Sequence, residues 1–218
     1  MADRMKRVRR TRRAPLEVRD LVLKAASELF AEQGYHGTKT REIAERAQVA
    51  EPVIFRNFGS KAEIFEASLL APFTAFAHAW VASWRAEPLA AADEYQLTHA
   101  FVKGFYDLAL EHREVLRTMM AARAMGGDAA LAEVADRVVK QLGEVLALVR
   151  ELLVEHRDAR EWGTLDPPVT VAVAFGAILA VVVFDEWVFV AGERRPGRAR
   201  QVEELTQMLL NGVAHRAA

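Results

Sequence analysis

The stretch from Thr38 to Lys61, TKTREIAERAQVAEPVIFRNFGSK, constrains the fold more than any other part of the chain. It divides into two short helical segments with three residues between them. In the first, Lys39 to Ala47, the residues Ile43, Ala44 and Ala47 recur at the 3–4 spacing of one helix face. Thr38 is placed to cap that helix with its hydroxyl. Gln48-Val49-Ala50 forms the turn, with Val49 directed between the helices. The second segment, Glu51 to Phe58, carries Pro52 in its first turn, where a missing N–H costs nothing. Ile54 and Phe58, four apart, face the core, which leaves Glu51, Val53, Arg56 and Asn57 outward. Asn57-Phe58-Gly59 ends the helix, and Ser60-Lys61-Ala62-Glu63 opens the next with a capping box. Two helices at this separation make a helix-turn-helix, and the second has the dimensions that enter a DNA major groove.

Charge supports a nucleic-acid partner for this end. Residues 1–65 hold 14 Lys and Arg against 9 Asp and Glu, whereas residues 66–218 hold 15 against 21. A basic first segment thus sits on an acidic body. Residues 1–14, MADRMKRVRRTRRA, are a basic arm without apolar periodicity. The arm is either a solvated tail or a minor-groove contact, since Arg is drawn to narrow A·T tracts. There is no Cys, which excludes disulfides and Cys-ligated zinc and suits a reducing, cytoplasmic location. No signal peptide is visible. The most apolar run, Val169 to Phe184, is shorter than the roughly 20 residues of a bilayer span and reads as a buried helix, so no membrane partner is expected.

Hydrophobic residues make up 52% of the 218, enough for a sizeable core. A first helix runs from Pro15 to Gln33 with Val18, Leu21, Val22, Ala25, Ala26, Leu29 and Phe30 as its stripe, and Gly34 stops it. A helix after Lys61 carries Ile64, Phe65 and Leu69, and Pro72 marks a break near residue 71. Further helices follow: Phe73–Arg85, ended by Glu87-Pro88, then Asp93–Glu111 and Arg113–Met125. After a Gly126-Gly127 turn, Asp128 caps a helix to about His156. A charged connection with Trp162-Gly163 leads to Pro168–Val190, and a loop from Gly192 to Gly197 leads to Arg198–Ala214. No strand alternation or hairpin signal occurs. The fold class is all-α: a three-helix helix-turn-helix domain plus a larger helical bundle, about nine to ten helices. The expected divisions are the arm 1–14, a DNA-binding domain 15–70, and a ligand-binding and dimerisation domain 71–218.

The pattern FAEQGYHGTKTREIAERAQVAEPVIFRNFGSKAEIF resembles the DNA-binding domain of TetR-family transcriptional regulators. Phe30, Gly34-Tyr35, Thr38 to Ala44, Val49, Ile54-Phe55, Phe58 and Ser60-Lys61 carry the resemblance, which covers Val18 to Leu69 in motif detail. Four positions depart from it. Gln48 stands where Gly is usual, and so would hold a positive φ. Ala50 replaces a capping Ser, Phe55 a common Tyr, and Asn57 a His or Tyr. The resemblance implies a repressor, released from a near-palindromic operator on double-stranded DNA by a small, mostly apolar effector.

The DNA-contact candidates are Lys39, Thr40, Arg41, Glu51, Pro52, Val53, Phe55, Arg56, Asn57 and Lys61. Thr40 and Lys61 lie at helix N-termini that favour phosphate, and Arg41 suits guanine O6 and N7. Phe55 is either a contact to thymine methyls or a core residue beneath Ile54. The resemblance also implies a homodimer through the C-terminal helices. The segment 168–190 is apolar nearly all round, and Trp187 and Phe189 are either interface anchors or core. It further implies an effector cavity, for which Trp80, Trp84, Phe101, Phe105, Tyr106, Met119, Met120 and Phe175 are the bulky candidates. Arg123, Arg117 and His99 are candidate polar contacts.

Catalysis has little support: no P-loop, G-x-S-x-G or H-E-x-x-H is present, and no two His are four apart on one helix. No enzyme activity, catalytic residue, metal or cofactor is expected. The alternative is a helical carrier of an apolar small molecule without a regulatory role. It would have no use for an outward row of Glu51, Arg56 and Asn57 beside a basic arm.

Overall fold

The computed structural model describes residues 15–86, 93–125, 129–159 and 165–214. The basic arm 1–14, the stops at Glu87-Pro88 and Gly126-Gly127, the Asp128 cap and Trp162-Gly163 lie outside these residues. Every regular element among the described residues is a helix. In chain order they are α1 (Pro15–Gly37), α2 (Thr40–Arg46), α3 (Glu51–Phe58), α4 (Lys61–Ala86) and α5 (Glu94–Glu111). They continue as α6 (Arg113–Met125), α7 (Ala129–Ala159), α8 (Pro167–Val183), α9 (Asp185–Val188) and α10 (Arg198–Ala214).

Gly34 interrupts α1 where the sequence places the stop, at φ 70° and ψ 174°, before one further turn to Gly37. Thr38 follows but does not cap α2. It is buried, and its hydroxyl faces two carbonyls of α1, Leu29 at 3.1 Å and Gly34 at 2.8 Å. Lys39 takes the N-cap position instead, with its own N–H donating to the Glu42 carboxylate at 3.3 Å. The small core of this end packs Phe30, Tyr35 and Phe65 ring against ring at 4.9–6.0 Å.

Contrary to the break expected at Pro72, α4 is one continuous helix with Pro72 inside it. Pro removes one N–H from the helix ladder. Apolar burial on both sides of it, by Leu69, Leu70, Phe73 and Ala77, holds the helix together nevertheless. This helix passes through the expected boundary at residue 70 and packs on α1, α5 and α7. One large hydrophobic cluster includes residues from Val22 to Leu205, and Val81, Trp84 and Leu152 form a second, smaller one. By length and composition α4 could cross a bilayer, but in this fold it is a core helix.

The helix expected to reach Val190 ends at Val183, and a four-residue turn of helix, α9, follows. Two side chains from α6 explain the stop. Arg117 Nε donates to the Val183 carbonyl at 3.0 Å, so the chain end of α8 is capped from outside. Asp185, nearly buried, draws in Arg117, Arg113 and Arg195. α7 runs three residues past the expected His156, to Ala159, while α10 matches its expected span.

Candidate nucleic-acid interface and ligand cavity

Local chemistry shapes the turn between α2 and α3. Gln48 adopts φ 54°, the one non-glycine residue in the left-handed region among those described. Val49, half-buried, packs on the core, and its N–H donates to the Ala44 carbonyl at 3.0 Å. Ile54 and Phe58 of α3 are buried, while Pro52, Phe55 and Arg56 form its exposed row. Phe55 is 46% exposed, so it is a surface side chain rather than core beneath Ile54. Glu51, Val53 and Asn57 are half-buried.

Several of the candidate contacts are tied to one another or to the scaffold. Thr40 donates its hydroxyl hydrogen to Glu51 at 2.7 Å, linking the first turns of α2 and α3. Arg41 and Glu45 form an exposed pair at 2.9 Å; that bond, and the nearby Glu45 charge, push the guanidinium pKa up. Lys61 Nζ donates to the Thr38 carbonyl at 2.9 Å and lies 4.2 Å from the Tyr35 ring centre. Asn57 Nδ2 donates to the Val53 carbonyl at 2.6 Å, which turns the amide back onto its own helix. Lys39 and Arg56 are exposed cations, and Arg56 makes no ion pair among the described residues. Unforeseen in the sequence was Arg19 of α1. Its guanidinium lies 4.6 Å from the Phe58 ring centre and donates to the Asn57 carbonyl at 3.4 Å, securing the end of α3. An isolated Arg on a helix assigned only to packing carries no local signal of this.

Two adjoining cavities open between α4, α5, α7 and α8. One, near 100 Å³, is lined by Trp80, Trp84, Phe101, Phe175, residues of α7 and α8, and Leu209 and Leu210 of α10. The other, near 120 Å³, is lined by Phe73, Phe76, Phe105, Leu116 and Leu142 among others. Trp80, Phe101, Val149 and Phe175 border both. Five of the bulky candidates, Trp80, Trp84, Phe101, Phe105 and Phe175, therefore come together.

Tyr106, Met119 and Met120 do not line either cavity. The Tyr106 hydroxyl faces Gln201 at 3.1 Å, and burial pushes its pKa up; both Met side chains pack into the core. Arg117 belongs to the Asp185 cluster, and the His99 ring stacks on Tyr95 with centres 5.7 Å apart. The Arg123 side chain lies outside the described residues. Sequence reasoning missed Val149, Leu152 and His156 of α7 and Thr170 and Val171 of α8, all of which line the first cavity. Val149, Leu152 and Val171 carry only the signal of an ordinary apolar stripe, and His156 and Thr170 that of lone polar residues beside one.

Residues 22–68 match the family model for bacterial regulatory proteins of the tetR family. Over 105 residues the chain is 37% identical to the HTH-type transcriptional activator FasR of Mycolicibacterium smegmatis, covering 48% of this chain and 46% of that protein. Over 159 residues it is 31% identical to the HTH-type transcriptional regulator TcmR of Streptomyces glaucescens, covering 72% of this chain and 61% of the relative. The matches thus span less than two thirds of these relatives' own lengths. Among solved structures, a transcriptional regulator of the TetR/AcrR family from Thermobifida fusca superposes with a TM-score of 0.57 at 26% identity, over 91% of this chain and 98% of that one.

Proposed function

We propose that this chain, a member of the tetR family of bacterial regulatory proteins, is a homodimeric transcriptional repressor that leaves a near-palindromic operator when a small, mostly apolar effector binds. One observation carries the DNA-binding half of this reading. On α3 the residues Ile54 and Phe58 are spent on the core, while Pro52, Phe55 and Arg56 are presented together with Lys39 and Arg41 of the preceding segment. A helix secured at both ends, by the Thr40–Glu51 bond and by Arg19, offers that row in a fixed register.

Within this reading Lys39, Thr40 and Lys61 bind phosphate, and Arg41 reads a guanine edge. Phe55, Pro52 and Val53 pack on thymine methyls, and Glu51 accepts from a cytosine amino group with Oε2 while Oε1 keeps its bond to Thr40. Arg56 and Asn57 meet the backbone. The acidic body from about residue 71 onward holds the effector and the dimer contacts. An effector releases DNA only by favouring a dimer whose recognition helices are wrongly spaced. The continuous α4, which joins both ends of the fold, is the element able to carry that change.

A mobility-shift titration of the full chain with the DNA upstream of its own gene, at two salt concentrations, tests the reading. Specific, salt-dependent retardation supports it. Equal binding to the upstream fragment and to random DNA overturns it and favours the carrier alternative. A second regulatory sign is favoured by the relative described as an activator. Transcription in vitro from the retarded promoter separates the two, since a repressor lowers the transcript and an activator raises it.

A further inference from the structure

The cavity chemistry defines the class of effector. Resting on the reading that the cavity is the effector site, we propose that the effector is an uncharged, largely apolar molecule bearing a hydrogen-bond acceptor such as a carbonyl. That acceptor is held by the Trp84 indole N–H and the Thr170 hydroxyl.

Trp84 and Thr170 are 7% and 8% exposed, and both border the first cavity. Among the described residues neither the indole nitrogen nor the Thr170 hydroxyl has a hydrogen-bond partner. Buried polar groups in native structures are nearly always satisfied, and leaving them unpaired opposes folding. Both side chains border one cavity, so a molecule that enters it can supply the missing partner after a small rotation of each. An indole N–H can only donate, so the entering group must accept, while a threonine hydroxyl can donate to the same acceptor. The rest of the wall is mostly apolar, Leu152, Val171 and Phe175 included, and its other polar side chains are Glu94, Thr98 and His156. The second cavity, bounded by Phe73, Phe76 and Phe105, receives the apolar remainder of the molecule.

Charge selects further. Among the described residues no Lys or Arg lines either cavity, and the ionisable side chains there are Glu94 and the fully buried His156. A carboxylate or phosphate in this space would be stripped of water and repelled by Glu94, and pairing it would require a charge on His156, itself cut off from water. A neutral carbonyl has neither cost. The site thus distinguishes a ketone, ester or amide from a fatty acid of equal length.

Three probes of one chain length test this by calorimetry on the full protein: methyl heptyl ketone, nonanoate and nonane. The ketone should bind at least about tenfold more tightly than nonanoate. Thr170→Val, which keeps the side chain's shape, should weaken the ketone severalfold and leave nonane unchanged, and Trp84→Phe, which also removes a ring from the wall, should weaken the ketone severalfold more than it changes nonane. The indole N–H resonance that Trp84→Phe removes should move downfield in the native protein with the ketone but not with nonane. This spectrum stands even if Thr170→Val fails to fold. Nonanoate binding as tightly as the ketone would overturn the proposal, as would no binding by any probe or equal losses of ketone and nonane in the variants. Operator release is measured separately: a ketone that binds by these criteria yet never releases DNA contradicts the regulatory reading and leaves the ligand class intact.

Discussion

At Gln48 a side chain occupies backbone territory that suits glycine. The turn needs φ 54° there because Val49 must reach back to the Ala44 carbonyl while α3 leaves at a new angle. Left-handed backbone costs an L-residue about 1 kcal/mol, so Gln48→Gly should stabilise the protein by about 0.5–1 kcal/mol in chemical denaturation. A loss of stability would mean that Gln48 contributes more through its side chain than it loses through its backbone. Variants at Arg41 and Lys61 test the proposed division between base reading and phosphate binding. Arg41→Ala should weaken operator binding about ten- to a hundredfold and barely touch random DNA. Lys61→Ala should weaken both and flatten the salt slope by about one. Equal losses for Arg41→Ala on both DNAs would remove it from base recognition. His112 adds a pH dependence. It is buried between Ser27, whose hydroxyl lies 3.3 Å from Nδ1, and the Phe73 ring. Burial holds its pKa below the ordinary value, with the neighbouring Glu111 charge opposing the shift. Below about pH 6.5 the unfolded chain therefore takes up the proton more readily than the folded one, and stability falls. His112→Gln should flatten the fall in melting temperature between pH 7.5 and 5, and an unchanged slope would assign it to other groups.

The legible elements are those whose limits are written locally. Glu51–Phe58 and Arg198–Ala214 have the spans expected from their turn residues and apolar spacing. The elements misread are those limited by distant partners. Pro72 is a local breaker, yet α4 continues because α1, α5 and α7 pack around it. α8 stops at Val183 because Arg113 and Arg117, some 70 positions earlier, take its carbonyl and Asp185. The cavity was half legible for the same reason: aromatic residues announce themselves, whereas Thr170 looks like a flaw in an apolar helix until Trp84 is found at the same wall. Gly104 on α5 offers a test of how that wall is built. A Cβ there would stand 2.3 Å from the Phe76 ring, so the ring now lies directly on the helix backbone. Gly104→Ala should push Phe76 into the second cavity, cost about 1–3 kcal/mol of stability by overpacking, and reduce effector affinity. Undiminished ligand binding in a folded Gly104→Ala protein would place the effector elsewhere.

On the scale of the molecule, the surface of α8, α9 and α10 is unfinished. Val169, Val173, Phe184, Trp187 and Met208 are all exposed, Trp187 to 88%. Large apolar side chains exposed on these neighbouring helices suit an interaction surface, and in the proposed homodimer a second copy of the chain would supply the complementary one through two-fold symmetry. The half-buried Phe189 is the lesser anchor of the two expected, and Trp187 is the one the face presents. In the proposed homodimer a two-fold axis through this face that set the two basic ends on one side would match a near-palindromic operator. Trp187→Glu and Val173→Asp place charges on the face without touching the core. Each should convert a micromolar dimer to monomer in sedimentation and reduce operator binding to the affinity of a single half-site. Arg41→Ala should leave sedimentation unchanged, which keeps loss of assembly distinct from loss of DNA contact. A native protein that sediments as a monomer at micromolar concentration, or a Trp187→Glu variant that remains dimeric, would move the interface off this face. The operator's symmetry would then need another origin.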